Sequence, residues 1–401
     1  MRSAMLSFCY CALLLARLTS SAPAASGSGS EAASSTANEE IDLQNPDLLA
    51  PPSTDHGSFD NAKWPFSLSH NRLQTGGWAR QQNIGDMPLA TEMAGVNMRL
   101  LPGAVRCCGL DRHKTAEWAY VLKGTTQVSS VDQEGRNYLA SVKAGDLWYF
   151  PPGIPHSLQA TGDDPDGSEF LLIFDDGDFS EDSTFLLTDW LAHTPMEVIQ
   201  RNFQALGKDD FFSLPSQELY IFPAGYVPKD TDTAPESPQG TVPLPFSFAL
   251  SEMEPTKLNG GSVKIVDSTV FNISKTIAVA EVTVQPGAIR EMHWHPTQDE
   301  WTFFLEGEAR VTIFAAQSNA RTFNYQAGDI AYVPTAMGHY VENIGNTTLK
   351  YLEIFKTDKF ADVSLSQWLA LTPPELVKAH LGINDDTVGR FSKTKQVVVA
   401  E

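Results

Sequence analysis

Three histidines and a glutamate are spaced along this chain as a chelating set, and the pattern occurs twice. In the second half the run reads Gly287-Ala-Ile-Arg290-Glu-Met-His293-Trp-His295-Pro-Thr-Gln-Asp-Glu300, with Gly307 seven residues past the glutamate and His339 five past Pro334. Histidines two apart on a strand point to one face, so His293 and His295 share an interior while Trp294 faces away. Glu300 follows after a short turn and His339 arrives from a later strand, giving three nitrogens and one oxygen with room for water or a substrate. Such a mixed, open set suits manganese(II) or iron(II) better than zinc, which usually closes at four ligands. A lone buried histidine is usually a satisfied core residue, but a whole set at corresponding places in two copies is not explained that way.

The first half carries the same phrase with a lesion. It reads His113-Lys-Thr-Ala-Glu117, then Gly124, then Gly145-x5-Pro151-x-Gly153-x2-His156, and Asp111 stands in the slot of the first histidine. Gly103 lies eight residues before that slot, whereas Gly287 lies six before His293, so two extra residues fall among Arg106-Cys107-Cys108-Gly109. Counting back three from the ligand slot, as Arg290 lies from His293, selects Cys108. Aspartate binds such an ion through oxygen, but it is shorter than imidazole and adds a negative charge. A divalent ion with one carboxylate keeps net positive charge, and a second carboxylate cancels it, so attraction for an anionic substrate weakens. Arg112 restores that charge only if the strand register shifts by one.

The elements that must carry these ligands read as strands. Ala119-Tyr-Val-Leu122, Leu147-Trp-Tyr-Phe150 and Phe170-Leu-Leu-Ile-Phe174 are strand-length apolar runs broken by Gly, Pro or Asp, which predicts an all-β fold of barrels or sandwiches. Helical signal is confined mainly to the end of each copy, in Thr188-Asp-Trp-Leu191 with Pro195-Met-Glu-Val-Ile-Gln200 and in Ser366-Gln-Trp-Leu369 with Pro373-Pro-Glu-Leu-Val-Lys378. Pro65-Phe-Ser-Leu68 recurs as Pro245-Phe-Ser-Phe248 and Gly103-Ala104 as Gly287-Ala288, so the duplication spans nearly the whole structured length. The expected organisation is a signal peptide over 1–22, a flexible leader over 23–55, an N-terminal domain over 56–227 and a C-terminal domain over 228–401. The Pro-, Asp- and Thr-rich stretch 224–245 suits the connection between the copies.

Composition narrows the partners. A formal charge of −21 argues against nucleic acid. The apolar run from Met5 to Ala16 is too short to span a bilayer, so it reads as a cleaved export signal and the chain as secreted, with no membrane partner. Cys9 and Cys11 leave with that signal, and Cys107 and Cys108 are adjacent, a poor geometry for a disulfide, so they read as free thiols. Asn272-Ile-Ser274 and Asn346-Thr-Thr348 fit the glycosylation acceptor pattern that export makes usable.

The two ligand sets, together with Phe174-Asp-Asp-Gly177-Asp-Phe-Ser180-Glu181-Asp182-Ser183-Thr184, resemble the bicupin oxalate decarboxylases, fungal-type secreted enzymes of the cupin superfamily. The likeness covers roughly residues 56 to 380. It implies two tandem cupin domains, each a jelly-roll-like β-barrel with short helices at its end. It implies one Mn2+ per domain, with dioxygen as co-catalyst, and a carbon–carbon lyase that converts oxalate to formate and CO2. The ligands it implies are Asp111, His113, Glu117 and His156 in the first copy and His293, His295, Glu300 and His339 in the second. Glu181 would be the general acid and base on a lid, Arg290 would orient a substrate carboxylate, and Glu353 would be an acid beside the second metal. Phe179 to Trp190 spans eleven steps and Phe360 to Trp368 only eight, so the second copy has no equivalent lid. Relatives form trimers and higher assemblies, which implies a homo-oligomer.

Three readings of the lesion stay open. The first site still binds manganese and the protein is a working decarboxylase; or only the second site holds metal, leaving an oxalate oxidase-like enzyme or an impaired bicupin that binds metal or oxalate; or residues 106–112 reflect an error in the coding sequence.

Overall fold

The strand Glu117–Lys123 shows how the sequence builds the molecule. Glu117 to Val121 are all buried: Ala119 and Val121 point into one barrel, while Trp118 and Tyr120 point the other way into a second core. Strands buried on both faces lose the polar alternation of a half-exposed strand. That is why this region reads as continuous apolar runs. The structure, a computed structural model, describes residues 52–106, 115–205, 207, 210, 215 and 219–401. Residues 1–51, and with them the expected signal peptide and nearly all of the leader, lie outside the described residues, as do Asp111 and His113.

Four sheets form two barrels, and the named strand pairings are antiparallel. The N-terminal barrel closes a seven-stranded sheet over a five-stranded one, and the C-terminal barrel a seven-stranded sheet over a six-stranded one. Each barrel has its own core, with Met98, Trp148, Leu158 and Phe170 in the first and Val282, Phe304, Val311 and Tyr351 in the second. Between them lies a third core built from Trp118, Tyr149, Val279, Trp301 and Tyr332. Each buried aromatic there contributes roughly 1.5–3 kcal/mol. Trp301 also donates its indole N–H to Gln82 Oε1 at 2.7 Å across the seam, and its ring lies against Gly95, where an added Cβ would sit 2.4 Å from it.

Two segments cross between the barrels. Lys63–Pro65 pairs with Asp329–Val333 of the C-terminal barrel, and Ser247–Phe248 pairs with Leu147–Phe150 of the N-terminal one. A division of the chain at 228 therefore separates the two sequence copies rather than the sheets. Residues 224–246 hold one isolated bridge, Thr241 to Asn137, and otherwise no strand or helix. Short helices fall where the sequence places them, at Leu187–Ala192, Met196–Asn202, Leu365–Leu371 and Pro374–Leu381. Ser364 caps the third through the N–H of Gln367.

Candidate metal centres

In the C-terminal barrel, strand Ile289–Trp294 carries His293, His295 follows it, strand Glu300–Glu306 opens with Glu300, and strand Gly338–Asn343 brings His339. Their ligand atoms lie within 4.8 Å of one another and all four residues are buried. Each imidazole is turned by a backbone carbonyl on its far nitrogen: Nδ1 of His293 to Glu291 at 2.7 Å, of His295 to Ala361 at 3.0 Å, and of His339 to Met337 at 3.0 Å. A proton shared with a carbonyl on Nδ1 leaves the Nε2 lone pair for a cation. Nε2 of His295 and of His339 stand 2.9 and 3.1 Å from Glu300 Oε2, and Nε2 of both His293 and His295 is buried without a hydrogen-bond partner. Burial and the charge of Arg290 hold the His293 pKa well below its ordinary value, so this ligand is neutral. A divalent ion with hard and borderline ligands fits this set, because it satisfies the two orphaned nitrogens and the carboxylate together.

Arg290 and Glu353 are both fully buried, and the structure brings them together. Arg290 donates from Nε to Glu353 at 3.1 Å and from Nη2 to Asp362 at 2.7 Å. The guanidinium that the family resemblance assigns to a substrate carboxylate is thus engaged by two protein carboxylates. Burial pushes the Glu353 carboxyl up, against the charge of Arg290.

Two of the four N-terminal ligand candidates fall within the described residues and take up equivalent positions. Glu117 opens its strand as Glu300 does, and each pairs with the last residue of a later strand, Phe174 and Phe355. His156 Nε2 lies 3.4 Å from Glu117 Oε2, and its Nδ1 meets the Ile154 carbonyl at 2.9 Å, the same two-residue device that turns His339. Glu117 also accepts from Trp148 Nε1 at 3.0 Å and from Arg106 Nη1 at 3.1 Å.

One expectation is corrected by register. Counting along the sequence selects Cys108 as the counterpart of Arg290, but strand pairing selects Arg106. Arg106 lies opposite Leu158, two residues past His156, and Arg290 opposite Val341, two past His339. Gly103 and Gly287, each three residues before, both take a left-handed turn at φ +75° and +74°. The extra residues therefore follow Arg106, and the arginine itself is retained and buried.

Glu181 lies on a single 3-10 turn, Glu181–Ser183, whose Ser180 accepts the N–H of Asp182. Its main-chain N–H donates to Gln81 Oε1 at 3.0 Å, and its carboxylate accepts from Tyr220 Oη at 2.8 Å. Burial pushes its pKa up to about 7, against the Tyr220 hydrogen bond and the positive charge of Arg106. Arg72 lies over the Tyr220 ring at 4.3 Å and reaches Asp182 at 3.4 Å. Sequence reasoning missed Tyr220, Asp362 and Lys395. Asp362 had a signal, since it lies two residues past Phe360 as Glu181 lies two past Phe179; Tyr220 had none.

The Cupin family matches residues 68–210 and 248–389. Oxalate decarboxylase OxdC of Bacillus subtilis is 54% identical over 362 residues, covering 90% of this chain and 92% of that protein. A probable oxalate decarboxylase of Arthroderma benhamiae is 40% identical over 366 residues, covering 90% and 89%. The bacterial sequence is the more similar of these two. The solved structure of the Bacillus subtilis enzyme at pH 4.6 superposes with a TM-score of 0.86 at 53% identity, covering 92% of this chain and 95% of that one. A second structure of the same enzyme, of equal TM-score, concerns its Mn(II) centres. Both barrels, the paired ligand sets and this likeness over about nine-tenths of the chain place it in the cupin family and, within it, among the bicupin oxalate decarboxylases.

Proposed function

We propose that the protein is an oxalate decarboxylase, a carbon–carbon lyase that yields formate and CO2, and that its N-terminal barrel carries the turnover. The observation that carries this reading is Glu181, a buried carboxyl pushed up to about 7 within reach of the charge of Arg106, the guanidinium that donates to Glu117. Oxalate dianion plus one proton gives formate and CO2, so the carbon–carbon bond breaks, a carbon–hydrogen bond forms, and one proton must be delivered to carbon. At pH 5 Glu181 holds that proton, and the lid turn that carries it keeps bulk water away. Tyr220 fixes which way the carboxyl faces. Arg106, 3.1 Å from Glu117, brings positive charge to this side of the barrel. Manganese, held by His293, His295, Glu300 and His339 and by Asp111, His113, Glu117 and His156, would supply with dioxygen the reversible one-electron chemistry that weakens the carbon–carbon bond.

Secretion belongs to the same reading. It is supported by the export-like first 22 residues and by the exposure of both glycosylation acceptors, Asn272 and Asn346. The test is product analysis on the secreted, manganese-grown protein in aerated oxalate near pH 5. Formate close to one per oxalate consumed supports the decarboxylase. Hydrogen peroxide with little formate moves the assignment to an oxidase, and neither product points to the altered residues 107–113.

A further inference from the structure

The two copies set a carboxylate at the same place and then treat it oppositely. Phe174 stacks on Phe179 and Glu181 follows two residues later; Phe355 packs edge-on against Phe360 and Asp362 follows two residues later. Each copy also lays a late strand on the arginine-bearing strand, with Ile221 opposite Arg106 and Val398 opposite Arg290. In the first copy that late segment brings the neutral hydroxyl of Tyr220 to Glu181. In the second it brings Lys395, whose ammonium ion-pairs with the Asp362 carboxylate and donates to the Asp362 carbonyl at 2.7 Å.

The consequence falls on Arg290. Its Nη2 is 2.7 Å from Asp362, its Nε 3.1 Å from Glu353, and its Nη1 3.5 Å from the Val397 carbonyl of the same late segment. The Asp362 side chain is only 2% exposed, so water does little to weaken the contact. For Arg290 to take up a substrate carboxylate it must first give up a charge-assisted hydrogen bond, which costs roughly 1.5–3 kcal/mol, or about tenfold or more in affinity. We propose that Asp362 and Lys395 are positioning residues that lock Arg290 in an ion-paired chain and so bar oxalate from the C-terminal centre. The inference rests on the oxalate reading given above.

The test uses the full chain, loaded with manganese, carrying Glu117→Ala and His156→Ala to disable the N-terminal centre. Oxalate is titrated calorimetrically at pH 5, and the Mn(II) EPR spectrum is followed in parallel. This parent is expected to bind oxalate only weakly, and Asp362→Asn combined with Lys395→Met to bind it about tenfold or more tightly, together with a change in the spectrum. Lys395→Arg preserves the ion pair and should keep the site closed. The lock is overturned if the parent binds oxalate as tightly as the intact protein, or if the opened variant, folded and manganese-loaded, gains nothing. Should Asp362→Asn fail to hold metal, Asp362→Ser carries the same prediction, because it likewise takes the carboxylate away from Arg290. An intact protein that neither binds nor consumes oxalate would sink the decarboxylase reading by itself. Acetate titrated into the same variants then reports whether a carboxylate gains access to Arg290, and decides the lock separately.

Discussion

The N-terminal and C-terminal barrels share a backbone plan and differ in what surrounds one carboxylate. Glu181 meets a neutral phenol and is pushed up to about 7, so it holds a proton in mildly acid water. Asp362 meets a guanidinium and an ammonium, and although burial opposes ionisation, Arg290 and Lys395 hold it below its ordinary range. The first arrangement keeps a proton on a buried carboxyl in mildly acid water. The second fixes a permanent charge and ties up the arginine beside it. Among the described residues the two copies keep the same placement of Glu117 with His156 and of Glu300 with His339, while the side chains around the nearby carboxylate differ in charge.

The largest effect that would break this comparison comes from the proton itself. Glu181→Gln keeps shape and a hydrogen-bonding partner for Tyr220 but holds no transferable proton, so formate production should fall roughly 10²–10⁴-fold. Formate at an undiminished rate would remove Glu181 from the chemistry and with it the division of roles.

Metal content comes next, because it asks whether both halves are loaded. Glu300→Ala removes the carboxylate on which two imidazoles converge, and manganese per chain should fall by about one, read by elemental analysis. Glu117→Ala should remove a similar amount if the N-terminal half binds as its described ligands suggest. No change there would mean that the N-terminal set does not hold metal and that the two barrels differ in occupancy as well as in protonation.

Stability against pH sharpens the contrast, since the two carboxylates should act with opposite sign. Glu181 is raised from 4.5 to about 7 on folding, so its burial costs nothing below pH 4.5 and the full amount above pH 7. That amount is on the order of 3 kcal/mol. Urea denaturation should therefore find Glu181→Gln more stable than the parent at pH 8 and little different at pH 4. Asp362 is lowered, so its contribution is present above its unfolded pKa of 3.8 and lost as pH falls through the folded value. Asp362→Asn should be costly at pH 6 and progressively less so in strong acid. Parallel rather than opposite trends would mean that the two environments are not as distinct as their partners imply.

Much of this was legible in the sequence, for physical reasons that also mark where it stopped. Ligands on strands obey a period of two and a fixed turn, so His293, His295, Glu300 and His339 could be placed together from spacing alone. The strand around Trp118 was legible as an apolar run, but nothing in its composition says that one face serves a core between barrels. The crossing of Lys63–Pro65 to the other barrel left no local signal, because a three-residue edge strand has no period to read. Arg106 was misassigned because counting assumes an unbroken register, and two extra residues shift the count without moving the strand. Tyr220 and Lys395 act from segments distant in sequence from the site, so only the tertiary structure could bring them in.

The smallest predicted effect tests the finest part of the comparison, the hydroxyl that faces Glu181. Tyr220→Phe removes one hydrogen bond, at 2.8 Å, to a carboxylate that is otherwise pushed upward by burial. That bond favours the ionised form, so its loss should raise the Glu181 pKa further, by up to about one unit for roughly 1 kcal/mol. On the proposed reading the protonated carboxyl is the active form, so the alkaline limb of the formate rate against pH should move upward. A structural role for Tyr220 would lower the rate at every pH without moving the limb. A downward shift would mean that the hydroxyl favours the neutral acid, and the contrast drawn with Lys395 would have to be argued from charge alone.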